Sequence, residues 1–134
     1  MLFVSGHSIC DYITPRVYEF FTSKYEIRSD VEICHCNLSD ENALGFTEVN
    51  GEEQFIQIHN KDITFEEHCK TILHELMHVV QNEKGVIDED KRESEAYEME
   101  EVLYKEFYRN EMRKRVEKLT ARWVSQQSGT QTLP

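Results

Sequence analysis

Apolar residues in this chain follow two different periods. Residues 31–36 alternate, with Val31, Ile33 and His35 against Glu32, Cys34 and Cys36, which predicts a strand. Residues 44–49 and 54–59 predict two more strands joined across Asn50-Gly51, a strong hairpin signal. In the second of these Phe55, Gln57 and His59 share one face, and Ile56 and Ile58 the other. Ahead of the strands, Thr14-Pro15 reads as a helix opening, a capping hydroxyl followed by proline at the first helical position. Val17, Phe20 and Phe21 give that helix an apolar face running to about Tyr25. The helical period then takes over. Thr64 and Glu67 have capping-box spacing, and Gly85 stands where a stop belongs. Between them Phe65, Cys69, Ile72, Leu73, Leu76 and Val80 fall on one stripe. A further helix is predicted from about Asp88, with Ala96, Met99, Val102, Leu103 and Phe107 on one side. Beyond Asn110 the apolar positions Met112, Val116, Leu119 and Trp123 move to another face, which predicts a break or bend. Residues 125–134 are polar and predicted to form a flexible tail. Together these elements predict an α+β fold. A small antiparallel sheet of about three strands packs on the 64–85 helix, the following helix and a C-terminal helix, all in one domain over residues 1–124.

The length of 134 residues suits a single core. A hydrophobic fraction of 39% is slightly low, but the apolar residues are clustered. The net charge of −11 argues against a nucleic-acid partner, because phosphate binding needs clustered Lys and Arg. The charge is uneven: Lys105, Arg109, Arg113, Lys114, Arg115, Lys118 and Arg122 make the C-terminal part basic. That part is either an ordinary solvated face or a docking surface for an acidic protein partner. No apolar run approaches membrane-spanning length, and residues 1–10 lack the features of a secretory signal. Cys10, Cys34, Cys36 and Cys69 are too few for a disulfide framework, so reduced thiols in a cytoplasmic protein are expected.

The chemistry concentrates at His74-Glu75-Leu76-Met77-His78, an HExxH pattern. Histidines four apart on a helix project to one side, so both imidazoles can reach one ion, and the glutamate between them can take a proton from water. The wheel sets His74 and His78 nearly opposite the 65–80 apolar stripe, so they face solvent or a cleft rather than the core. The next helix offers a third donor. Glu95 projects between Met99 and Val102, inside the expected apolar stripe, where a carboxylate is costly unless it is paired or bound to a metal. Glu93 and Glu100 fall at the edge of that stripe. Glu95 is therefore the expected third ligand and Glu93 the fallback, giving two histidines and a glutamate, the donor set of a catalytic zinc site. Cys34-His35-Cys36 is a weaker metal candidate, since neighbours in a strand point to opposite faces. Cys69, on the apolar stripe, is expected in the core. Cys10 beside His7 leaves a cysteine nucleophile open.

An HExxH helix followed by a helix carrying Glu-Ala resembles the gluzincin metallopeptidases. The small size, the hairpin before the active-site helix and Arg92-Glu93-Ser94-Glu95-Ala96 are most similar to the ImmA/IrrE-type peptidases and the minimal gluzincins. The resemblance covers about residues 44–107. It implies a zincin-like fold, a Zn(2+) cofactor, a peptide or protein substrate, and metal binding by Glu95 just before Ala96. Two positions differ: Met77 stands where ImmA/IrrE members often have glycine, and Tyr97 where they tend to have Asn or Asp. The group supporting a ligand histidine is thus open, with Glu98 a candidate. The resemblance further implies hydrolysis by metal-activated water with Glu75 as general base. Tyr97, Tyr104 and His59 are candidates for oxyanion stabilisation, and residues 54–59 for the edge strand that aligns the peptide. Two alternatives accompany this reading: a catalytically silent gluzincin-like metal module in a larger assembly, and a tail that folds back as a latency device. Histidine–carboxylate sites also accept divalent ions other than zinc.

Overall fold

Thr64 accepts a hydrogen bond from the Glu67 backbone N–H at 3.1 Å, and Gly85 closes the helix in the left-handed conformation, φ +72°. These two caps bound the HExxH helix at the residues their sequence signatures predict. The computed structural model describes residues 1–131, with side chains to residue 127. In chain order the elements are β1 (Leu2–Gly6), α1 (Thr14–Thr22), β2 (Asp30–Cys36), β3 (Gly45–Asn50), β4 (Glu53–His59), α2 (Phe65–Lys84) and α3 (Glu89–Gln131).

The fold is α+β, but its sheet has four strands rather than about three and is mixed rather than antiparallel. Its order is β1-β2-β4-β3, with β1, β2 and β4 parallel and β3 antiparallel to β4. The unexpected strand is β1, whose residues are mostly exposed and carry little apolar alternation. The hairpin forms one residue later than predicted: Gly51 and Glu52 make the turn, closed by the Asn50–Glu53 pair, and Gly51 takes φ +65°. Because β4 pairs with β2 as well as β3, it lies inside the sheet. The edge beside α2 is therefore β3, not residues 54–59.

Alternation along β2 and β4 buries Val31, Ile33 and His35, and Gln54, Ile56 and Ile58, on one face. Val17 and Phe21 from α1 and Ile72, Leu73 and Leu76 from α2 are fully buried with them. Thr14 does not cap α1. Its buried hydroxyl lies 2.8 Å from His35 Nε2 and 3.1 Å from His68 Nε2. The Ser5 carbonyl can only accept, so His35 Nδ1 donates to it at 2.9 Å. His35 Nε2 then accepts from Thr14, whose oxygen accepts from His68 Nε2–H. His68 Nδ1 is left buried without a partner. Gly6 makes the approach of β1 possible, since a Cβ there would lie 2.0 Å from the His35 carbonyl oxygen.

Contacts divide the chain into Met1–Tyr104 and Lys105–Pro134. In the first unit α3 returns beside α2 after a short connection, the geometry of an antiparallel helix pair. Lys70 bonds Glu101 at 2.7 Å near one end of the pair, and Gln81 donates to the Arg92 carbonyl at 3.0 Å near the other. The second unit is helical through Gln131, with no break after Asn110. Residues 125–131 of the expected flexible tail belong to this helix, and the last three residues lie outside the described ones. Among the described residues no helix is long and apolar enough to cross a membrane.

Candidate metal centre

His74 and His78 lie one turn apart on α2 with their rings edge to face, centroids 4.8 Å apart. Both are almost fully buried. They face a cleft of about 660 Å³ walled by β3, α2 and the first turns of α3. Glu93 reaches both: its Oε1 is 2.7 Å from His78 Nε2 and its Oε2 is 3.5 Å from His74 Nε2. Among the described residues, His74, His78 and Glu93 are the group of three metal-type donors whose ligand atoms converge, all within 4.8 Å of one another.

Hydrogen bonding behind the imidazoles fixes which nitrogen faces the cleft. Glu100 Oε1 accepts from His74 Nδ1 at 2.9 Å. Gln81 gives its amide N–H groups to Glu95 Oε1 at 2.8 Å and to the Arg92 carbonyl, so its Oε1 accepts from His78 Nδ1 at 2.8 Å. With both Nδ1 atoms donating, each ring turns its Nε2 toward the Glu93 carboxylate. The 2.7 Å between His78 Nε2 and Glu93 Oε1 is hydrogen-bond distance, which a proton between them satisfies. With that proton absent, two imidazole nitrogens and a carboxylate make a donor set that fits a divalent cation, and the carboxylate and amide behind the rings are the partners that ligating histidines use. Burial opposes the charged form of His74, but the Glu100 hydrogen bond and the charges of Glu75, Glu100 and Glu93 outweigh it and raise its pKa.

The third acid is Glu93, the fallback, and not Glu95. On α3 the inward face runs through Glu93, Ala96, Glu100, Leu103 and Tyr104, while Glu95 and Val102 are exposed. The inward face is rotated from the predicted stripe toward Glu93 and Glu100, which a count of apolar side chains leaves at its edge. Glu95 still bears on the site through Gln81. Glu98, the candidate support for a histidine, is exposed, and Glu100 occupies that role.

Glu75 is buried on the β3 side of α2, and Thr47 Oγ1 donates to its Oε1 at 2.7 Å. Burial raises the pKa of this carboxyl, while the Thr47 bond and the neighbouring histidines pull it back down. The close packing depends on Gly45: a Cβ there would sit 2.8 Å from Thr71 Cγ2 and 3.2 Å from Glu75 Cγ. Of the three candidates for oxyanion stabilisation, Tyr97 lines the cleft, its ring 4.6 Å from that of His74 between centroids. His59 and Tyr104 are not brought there. His59 Nδ1 accepts from the Leu38 N–H at 2.9 Å, and Tyr104 is buried beneath the Lys70 ammonium.

The other sequence candidates separate as well. His35 is committed to the core, on the face of β2 opposite Cys34 and Cys36. Cys69 is buried as expected, and none of the four cysteines forms a disulfide. Three contributors escaped sequence reasoning: Gln81, Glu100 and Thr47. Gln81, three residues after His78, and Glu100, seven after Glu93, share the helix faces of His78 and Glu93. Thr47 had no local signal, since its place depends on sheet pairing. In comparisons with protein-family models, curated proteins and solved structures, nothing matches this chain.

Proposed function

We propose that the protein is a zinc-dependent metallopeptidase of zincin-like architecture, with His74, His78 and Glu93 as ligands and Glu75 as general base. The observation that carries this reading is the convergence of the HExxH imidazoles and Glu93 in a cleft that also holds a buried carboxylate. A bound cation would supply Lewis acidity toward water and a peptide carbonyl.

The protein's own groups do the rest. Thr47 ties up Glu75 Oε1, which leaves Oε2 to accept a proton from water and return it to the leaving amine. Burial raises the pKa of this carboxyl, the direction that favours such a shuttle. A peptide substrate is supported by the edge strand. The His59 N–H donates to the Leu44 carbonyl, so residues 44, 46, 48 and 50 bond toward β4, and Gly45, Thr47 and Val49 turn their backbone groups outward. An extended peptide can add as a fifth strand along that edge, next to Glu75. Tyr97 stands at the cleft wall, where it can meet the substrate carbonyl.

The test is cleavage of a broad peptide library by zinc-loaded protein. Wild type cleaves, and Glu75→Gln keeps its zinc but loses turnover by about 10²-fold or more, the usual contribution of a positioned base. Zinc retained by both forms with no turnover in either would favour the silent metal module instead.

A further inference from the structure

Residues 105–127 play no part in the cleft chemistry, yet they carry a patterned surface of their own. Met112, Val116, Leu119 and Trp123 recur at steps of four, three and four, which gathers them within about 60° of the helix circumference. All four are exposed, at 38%, 57%, 55% and 60%. Every residue from 112 to 127 is exposed. Arg109 and Arg113 border this seam on one side, Arg115 and Arg122 on the other. Residues 105–134 hold seven Lys and Arg against three Glu, net +4, while residues 1–104 carry the remaining −15.

A seam this narrow, at alternating three- and four-residue steps, is the pattern of helix-on-helix packing, whereas an interfacial membrane helix presents a broader apolar face. The borders choose among helical partners. A second copy would set arginine against arginine at the flanking positions, which is destabilising. We propose that residues 105–127 form a docking helix for an amphipathic helix of another protein whose apolar seam is bordered by Asp or Glu. This inference does not rest on the peptidase reading.

Trp123 is the chain's single tryptophan and lies on the seam, so its emission reports docking directly. The full-length protein is titrated with a designed 21-residue helical peptide carrying Leu and Ile at the seam and Glu at the flanks, and with the same peptide carrying Lys at the flanks. The Glu peptide shifts Trp123 emission to the blue and binds at least 10-fold more tightly than the Lys peptide, with affinity falling as salt rises. Leu119→Glu abolishes the shift. The triple change Arg113→Glu, Arg115→Glu, Arg122→Glu reverses the preference, and a misfolded helix could not do that. Three results overturn the proposal: equal affinity for both peptides, self-association that buries Trp123 in sedimentation without peptide, or a blue shift given only by phosphatidylserine vesicles.

Discussion

Glu93 and Glu95 are two positions apart on α3, which turns them about 200° from one another around the helix, so only one can face α2. Glu93 faces it and meets both imidazoles; Glu95 grips Gln81 from outside. The HExxH residues and their place off the 65–80 apolar stripe could be read from letters alone, because their spacing is local, but the choice between solvent and a cleft could not. The third acid could not, because a stripe drawn through apolar side chains alone leaves out carboxylates that lie on the inward face. Each supporting contact has a measurable consequence. Glu100→Ala removes the carboxylate behind His74 and should weaken zinc affinity by about 10–100-fold, measured by competition with a chelating dye. Thr47→Val should leave zinc content intact and slow turnover about 10-fold or more, the equivalent of one hydrogen bond to a charged group, while Thr47→Ser restores it. Equal rates in Thr47→Val and wild type would show that Glu75 needs no such hold.

At the scale of elements, helix α2 was the most legible part of the chain, since a capping box, an apolar stripe and a stop glycine all act within its own sequence. β4 and β2 were legible from alternation. β1 was not, because a short and largely exposed edge strand leaves little periodic trace. The order of the sheet was hidden too, as pairing between distant strands leaves no mark on either one. The polar chain His35–Thr14–His68 joins β2, α1 and α2 inside the core. Burial, with help from neighbouring His35 and against the pull of Asp11, pushes the His68 pKa down to about 4 from an ordinary 6.5. Between those values the unfolded chain binds the proton and the folded one does not. Stability is therefore full above about pH 6.5 and falls as pH drops toward 4, by on the order of 3 kcal/mol. Denaturant midpoints across pH 4–7 should show that His68→Gln flattens this dependence. An unchanged slope would place the acid sensitivity elsewhere.

Across the whole molecule, a strongly acidic unit that carries the candidate metal centre is joined in sequence to a basic helical one. The opposite charges of the two units were readable from composition, but the unbroken course of α3 was not, since the apolar face moves around the helix beyond Asn110. Every functional statement about the first unit depends on His74, His78 and Glu93 acting together on one cation. Zinc bound per chain, measured by atomic spectroscopy after dialysis on wild type, Glu93→Gln and Glu95→Gln, addresses that dependence most directly. The expected result is one zinc per chain in wild type, near-complete loss in Glu93→Gln, and retention in Glu95→Gln. Full zinc in Glu93→Gln, or none in wild type, would contradict it.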